Sequence, residues 1–111
     1  MHFHCDGAIH KVARITGPTH NLLGIEFHTS KETEALAVDA LPEDRGRGVK
    51  LDEAEVVRHV LTGISEANEK LRTAYRPKRI QYVPGDSAPT EIYRLLAAAI
   101  VEHMHRESLG R

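Results

Sequence analysis

The spacing of the apolar residues changes partway along this chain of 111 residues, and that change constrains the fold more than any other feature. Up to residue 41 apolar and polar residues alternate, which is typical of half-buried β-strands. Beyond residue 51 apolar residues recur every three or four positions in two segments, as on one face of a helix, with a short strand-like segment between them. The predicted order of elements is therefore strand, strand, strand, helix, strand, helix.

Three strands are predicted before the first helix. The first covers residues 3–15, and Gly7 is the point at which it would bulge or break. The second covers residues 22–29 and would form an antiparallel hairpin with the first. The third, residues 35–41, is weaker because its alanines also suit a helix. The residues of the second strand that we expect on one shared face are Leu23, Ile25 and Phe27.

The first helix is predicted to begin after Asp52 and to end before Pro77, which forces the preceding residue out of the helical region. The Asp52 carboxylate can cap the free amides, and Glu55 three residues later completes a capping box. Gly63 inside the helix indicates close packing against a neighbour. The residues expected on the buried face are Val57, Val60, Leu61, Ile64 and Leu71.

A fourth strand, residues 78–83, and a second helix complete the chain. Asp86 or Ser87 is predicted to cap this helix, and Pro89 suits its first turn. Its apolar stripe is wide, so we expect contact with the sheet on one side and with the first helix or a second copy of the chain on another, which predicts a homodimer. The stripe consists of Ile92, Leu95, Leu96, Ala99 and Ile100, widened by Ala97, Ala98 and Val101.

This order of elements predicts one α+β domain over residues 1–111, a two-layer sandwich with a mostly antiparallel sheet and both helices on one face. The single cysteine fits a reducing cytoplasm better than a disulfide-stabilised secreted domain. No apolar run approaches the roughly 20 residues of a membrane span, and the first residues lack the pattern of a secretion signal. We therefore expect a cytoplasmic protein with no membrane partner.

Eight histidines in a chain of this length raise the question of a bound metal. His2 and His4 would project from one side of a strand, and Cys5 is adjacent, so these three are weak metal candidates. A closed zinc site needs four ligands, and the other histidines show none of the recognised ligand spacings. The pattern favours histidines with surface or packing roles, and no cofactor is predicted.

Catalytic signals are weaker still. Cys5 is the only thiol, and neither it nor any serine stands in a recognised nucleophile motif or in an evident pairing with lysine or histidine. Glu26 and His28 would share a strand face and could form an acid/base pair, but residues so placed are mostly solvated neighbours. No catalytic residue is assigned, and the balance is against an enzyme.

Charge is distributed unevenly although the formal net charge is only -1. Between Glu69 and Asp86 the chain carries five basic residues and no acid, and Tyr75 and Tyr82 could offer stacking surfaces nearby. Such a patch can hold phosphates, whereas the simpler alternative is solvated cations at the end of a helix. The candidate nucleic-acid-binding residues are Arg72, Arg76, Lys78 and Arg79, assisted by Arg45 and Arg47 in an exposed loop at residues 43–48.

Two segments carry a resemblance to a known family: KRIQYVPGDS at residues 78–87 and EIYRLLA at residues 91–97. Within residues 51–105 the chain resembles the fourth domain of the translation elongation factor G family. The resemblance implies a strand, an Asp-Ser turn and an alanine-rich helix behind an antiparallel sheet, with a left-handed strand-helix-strand crossover. That family's RNA-contacting loop tips have no counterpart here, and the GTP-binding loop is absent from the sequence.

Two functions of different class follow from these observations. The leading one is a small RNA- or ribosome-associated binding module that contacts phosphates through the basic patch. The alternative is a small metabolic or metal-binding protein that uses the predicted sheet histidines, His4, His10 and His28 among them.

Overall fold

A computed structural model describes residues 1–17, 19–29, 34–42 and 50–110, so the loop predicted at residues 43–48 lies outside the described part. Within these residues the chain forms five strands and two helices. Their bounds are β1 (His2–Asp6), β2 (Ile9–Thr16), β3 (Thr19–Phe27), β4 (Ala37–Ala40), α1 (Glu53–Leu71), β5 (Pro77–Tyr82) and α2 (Ile92–Leu109).

The five strands form one sheet in the order β1-β2-β3-β5-β4. Every neighbouring pair is antiparallel except β4 and β5, which are parallel and are joined through α1. A parallel pair needs a long crossover, and the helix supplies it. The predicted α+β fold, with a mostly antiparallel sheet and two helices packed against it, is confirmed.

The first predicted strand is two strands. Gly7 has a φ of 62°, a conformation that residues with a Cβ rarely adopt, and the chain reverses there so that β1 and β2 form a hairpin. The predicted break at Gly7 is therefore confirmed, whereas the single strand over residues 3–15 is wrong. The consequence is a five-stranded sheet in which Cys5 lies directly opposite His10.

The core lies between one face of the sheet and the two helices. Val12 pairs with Leu23 and Ile25 pairs with Ile80, so these four fully buried residues share the face that the helices cover. Phe27 belongs to the same core, as predicted. The opposite face of the sheet carries partly exposed charged side chains from β3, β4 and β5.

Helix α1 is capped as predicted, because the Asp52 carboxylate accepts a hydrogen bond from the Ala54 amide at 3.0 Å. The predicted capping box is not formed, because the Glu55 carboxylate accepts a hydrogen bond from Arg58 at 2.6 Å instead of bonding back to Asp52. The helix ends at Leu71, well before Pro77, as expected. Among the described residues, neither helix is long and apolar enough to cross a membrane.

Both helices turn slightly different faces inward than their spacing predicted. On α1, Leu61 is 40% exposed and Val57 is only half-buried, while Val56 is fully buried. On α2, Leu95 is 60% exposed, while Tyr93 is fully buried. The predicted burial of Leu61 is wrong, and Leu95, which belongs to the predicted apolar stripe of α2, is not covered within one copy of the chain. The contact between the two helices decides which side of each helix is covered.

The predicted capping of α2 by Asp86 or Ser87 is also wrong. The residue that precedes the helix is Glu91, which makes no side-chain capping bond. Instead, the Asp86 carboxylate accepts a hydrogen bond from the Leu22 amide at 2.8 Å, and the Ser87 hydroxyl accepts one from the His20 amide at 3.0 Å. These residues fasten the loop after β5 to β3.

Candidate functional site: a cleft between the first hairpin and the second helix

A cleft of about 330 Å³ lies between the β1–β2 hairpin and the C-terminal half of α2. We call it the hairpin–helix cleft. Its apolar lining comes from Phe3, Ile100 and Met104, all of which also belong to the core or pack against it. Its polar lining includes His4, Cys5, His10, Lys11, His103 and Glu107.

A thiol and an imidazole meet at one wall of the cleft. The Cys5 Sγ lies 3.8 Å from the His10 Nδ1 and 3.5 Å from the Gly7 carbonyl oxygen. The hairpin register explains the contact, because Phe3 pairs with the core residue Val12 and, two residues on, Cys5 faces the same way. The Cys5 side chain is exposed, so its sulfur is accessible.

The surroundings of the His10 imidazole favour its neutral form. Burial lowers the pKa of His10 below its usual value, and the nearby His103 lowers it further because two positive imidazoles would repel each other. A neutral imidazole keeps one ring nitrogen as a hydrogen-bond acceptor. His10 can therefore accept the proton of a neighbouring thiol.

A stacked pair of rings ties the hairpin to α2 beside this wall. The Phe3 and His103 rings are nearly parallel, with an interplanar angle of 5° and centroids 4.1 Å apart. The His103 Nε2 lies 3.7 Å from a Glu107 carboxylate oxygen one turn further along α2. Together these contacts fix the position of His103 in the cleft.

The aromatic contacts continue beneath the cleft. The Phe27 ring lies 6.1 Å from His10 and 5.9 Å from Tyr75, and the Tyr75 hydroxyl lies 3.3 Å from the His105 Nδ1. Three of the eight histidines, residues 10, 103 and 105, thus pack among aromatic rings around the end of α2. A packing role for these three agrees with the preferred interpretation of the histidines.

The structure does not bring the three metal candidates together. His2 and His4 alternate with Phe3 and Cys5 along β1, so their side chains leave the strand on the side opposite to that of Cys5, although His4 also borders the cleft. No group of three or more histidine, cysteine, aspartate or glutamate residues in the described part of the chain is arranged to hold a metal ion.

Much of the predicted basic patch is paired with acids that approach from other strands and from α2. The Arg79 guanidinium donates to both Asp39 carboxylate oxygens, at 2.9 and 2.8 Å, and lies 3.7 Å from Glu26. Lys78 lies 4.0 Å from Glu26. The Gln81 side-chain amide also donates to Asp39, at 3.2 Å. The hydrogen bonds from Gln81 and Arg79 hold the pKa of Asp39 below its usual value, which favours the ionised carboxylate beside Arg79.

Lys70, which belongs to the same basic segment but is not a candidate, places its ammonium 2.9 Å from a Glu102 oxygen on α2. The other candidates of the patch divide into two groups. Arg72 and Arg76 are exposed at the end of α1 and before β5. Arg45 and Arg47 lie outside the described residues.

The tyrosines do not offer the stacking surfaces that the sequence suggested. Tyr82 is only 3% exposed, and its hydroxyl donates to a Glu53 carboxylate at 3.0 Å. Tyr75 is half-buried against Phe27. The prediction of Tyr82 as a stacking surface is therefore wrong, because its position in β5 places it on the covered face of the sheet.

Sequence reasoning missed the Cys5–His10 pair altogether. The two residues are five positions apart, a spacing that places no contact between them in a single strand. The signal that could have found them is Gly7-Ala8, a two-residue loop with glycine first that is typical of hairpin turns, and it puts Asp6 opposite Ile9 and Cys5 opposite His10. No protein-family model, curated protein or solved structure matches this chain.

Proposed function

We propose that this protein binds a small, neutral, amphipathic molecule in the hairpin–helix cleft. The observation that carries the proposal is the combination, in one concave site, of an apolar lining with convergent imidazole and thiol groups. Ligand sites commonly have this composition, with volumes of roughly 300 to 1,000 Å³. The cleft, at about 330 Å³, suits a small ligand. This proposal develops the alternative in which the sheet histidines serve a metabolic protein.

The charges around the cleft favour a polar but uncharged head group. Lys11 and Glu107 have opposite signs, and Lys11 is already within 3.4 Å of the Asp6 carboxylate. The C-terminal end of α2 adds partial negative charge, which disfavours an anion. The burial that lowers the pKa of His10 also disfavours a positive charge beside it. The neutral His10 imidazole can donate or accept a hydrogen bond. A hydroxyl or carbonyl group therefore fits the polar wall better than a carboxylate.

Amide chemical-shift mapping with three probes of equal tail length tests this proposal. We expect nonan-1-ol to cause saturable shifts in β1, β2 and the second half of α2, and nonanoate and nonylammonium to bind more weakly. Met104→Trp should fill the cleft and abolish the shifts. Leu61→Trp is the matched control, because Leu61 is exposed on α1, which contributes no residue to the cleft. Shifts that never saturate, or that persist in Met104→Trp, contradict the proposal.

RNA or ribosome binding through the basic patch is the second proposal. It is favoured by the exposure of Arg72 and Arg76 on either side of the half-buried Tyr75. Phosphate contacts by these guanidinium groups would release counterions, so binding should weaken steeply as salt rises. Lys78 and Arg79 are less exposed and lie beside Glu26 and Asp39, so the proposed contact surface consists of Arg72 and Arg76.

A salt series of RNA binding tests the second proposal. We expect Arg72→Ala combined with Arg76→Ala to reduce both the affinity and its salt dependence. Arg58→Ala is the control, because this exposed arginine lies on the first half of α1, away from the patch. Equal binding by the double variant and the wild type at every salt concentration would exclude these residues as the contact surface.

We further propose that the protein is cytoplasmic and forms a homodimer through α2. The feature that favours a dimer is Leu95, a large apolar side chain that is 60% exposed on α2. We expect Leu95→Lys to convert a dimer into a monomer in sedimentation velocity. A wild-type chain that sediments as a monomer at all concentrations would rule out the dimer.

A further inference from the structure

The Cys5–His10 pair and the cleft beside it form a chemical unit. The pair consists of the chain's one thiol and a neutral imidazole 3.8 Å away, and both line the cleft together with Phe3, Ile100 and Met104. A thiol next to a base is the arrangement that activates a sulfur nucleophile. The apolar lining determines what kind of molecule can approach it.

We infer that Cys5 and His10 together capture α,β-unsaturated carbonyl compounds whose apolar tail lies in the hairpin–helix cleft. The inference deepens the proposed function and rests on it, because the tail would occupy the same apolar lining. The conjugated carbonyl supplies the neutral polar head that the charges around the cleft favour.

The step balances without any further reagent. The His10 Nδ1 takes the proton from the Cys5 Sγ, and a sulfur electron pair forms a bond to the β-carbon of the ligand. The π pair between the α- and β-carbons moves toward the carbonyl and forms an enolate. The proton then passes from His10 to the α-carbon, which leaves a thioether. No group departs, and nothing is oxidised or reduced.

Addition to a conjugated carbonyl requires fewer groups than other reactions of a thiol. Disulfide exchange within the chain needs a second cysteine, and the sequence has one. Acyl transfer needs donors aimed at an oxyanion and a protonated leaving group. Addition to a conjugated carbonyl needs only a thiolate and the return of one proton, which the pair provides.

The size of the expected effect follows from the ionisation of thiols in general. A free cysteine thiol with a pKa of about 8.5 is about 3% thiolate at pH 7, so complete transfer of its proton raises the reaction rate by at most about 30-fold. A more basic thiolate is the better nucleophile, which reduces the gain. Because burial favours the neutral form of His10, we expect only part of this gain, a rate for Cys5 about fivefold above that of glutathione.

Two aldehydes that differ in their tails test the inference. Acrolein has no tail and reports on the thiol alone, whereas trans-2-nonenal has an apolar tail and reports on the cleft as well. Rates of adduct formation at pH 7 are measured by intact-protein mass spectrometry, with glutathione as the free thiol. Cys5→Ser gives the background from lysines.

The variants separate the roles of the base and of the cleft. We expect His10→Gln to bring the acrolein rate to within about twofold of glutathione. His2→Gln is the matched control, because His2 projects from the opposite side of β1 and should leave the rate unchanged. Met104→Trp should remove the preference for trans-2-nonenal while leaving the acrolein rate high.

Failure of the inference and failure of the proposed function give different results. The activated pair is refuted if the wild type reacts with acrolein no faster than glutathione does, or if His10→Gln leaves the acrolein rate unchanged. This holds even if trans-2-nonenal still reacts faster than acrolein. The second ratio to compare is the rate with trans-2-nonenal divided by the rate with acrolein. If this ratio equals that of glutathione and does not change in Met104→Trp, ligand binding in the cleft is refuted, and with it the substrate class. If His10→Gln fails to fold, the wild-type rate against pH decides, because a rate that follows that of glutathione at every pH overturns the activated pair.

Discussion

Replacing Gly63 by alanine tests two opposing effects on stability, the higher helix propensity of alanine and the close packing between α1 and α2 at this residue. A Cβ built at Gly63 would overlap the Arg94 carbonyl oxygen and lie 3.1 Å from the Ala97 Cβ. In an isolated helix the same change is favourable by about 1 kcal/mol, because alanine is the better helix former. The two effects have opposite signs, so the sign of the measured change shows which one dominates.

The structure predicts that packing dominates. The obstacle is a backbone carbonyl inside α2, which cannot rotate away as a flexible side chain could, so the two helices must move apart. Overpacking of this kind costs about 1 to 3 kcal/mol, and we place Gly63→Ala at the upper end because the overlap is with backbone. After the helix preference is subtracted, the free energy of unfolding should fall by about 2 kcal/mol.

Thermal and urea unfolding followed by circular dichroism measure this effect. A loss of about 2 kcal/mol corresponds to a fall in Tm of about 8 °C for a chain near this length. Ser65→Ala is the control, because Ser65 is exposed on the same helix and its replacement should stabilise by about 0.5 kcal/mol or less. If Gly63→Ala were as stable as Ser65→Ala, the close contact between α1 and α2 at this point would be refuted.

Two further predictions concern buried polar groups. Burial raises the pKa of both Tyr82 and Tyr93 to about 12. Their neutral forms therefore stabilise the fold fully below the unfolded pKa of about 10, and the free energy of unfolding should fall between pH 10 and 12. Urea unfolding at several alkaline pH values should show a shallower fall for Tyr82→Phe than for the wild type, and an unchanged slope would contradict the assignment. Asp86→Ala removes the acceptor for the Leu22 amide and should lower the free energy of unfolding by about 1 to 3 kcal/mol, whereas Asp6→Ala, at an exposed residue, should change it little. Equal unfolding curves for the two variants would show that the Asp86 contact contributes nothing.

The candidate site was only partly predictable from the sequence. From the sequence, Cys5 is a metal candidate and His10 a histidine of the sheet, and their spacing alone does not join the two. Their contact depends on the hairpin register, and the cleft beside them depends on where α2 docks. Likewise, the run of basic residues near β5 is visible in the sequence, while the pairing of Arg79 with Asp39, forty residues earlier, requires the parallel strand pair.

The sequence by itself determined the change from strands to a helix, strand and helix, the inward-facing side of β3, the Asp52 cap and the close approach at Gly63. Each of these follows from local periodicity or from the chemistry of one residue. Only the tertiary structure decided that Leu61 and Leu95 are exposed and that Tyr82 is buried. The physical reason is that periodicity identifies which residues share a face, but which of two neighbouring faces is covered depends on partners distant along the chain.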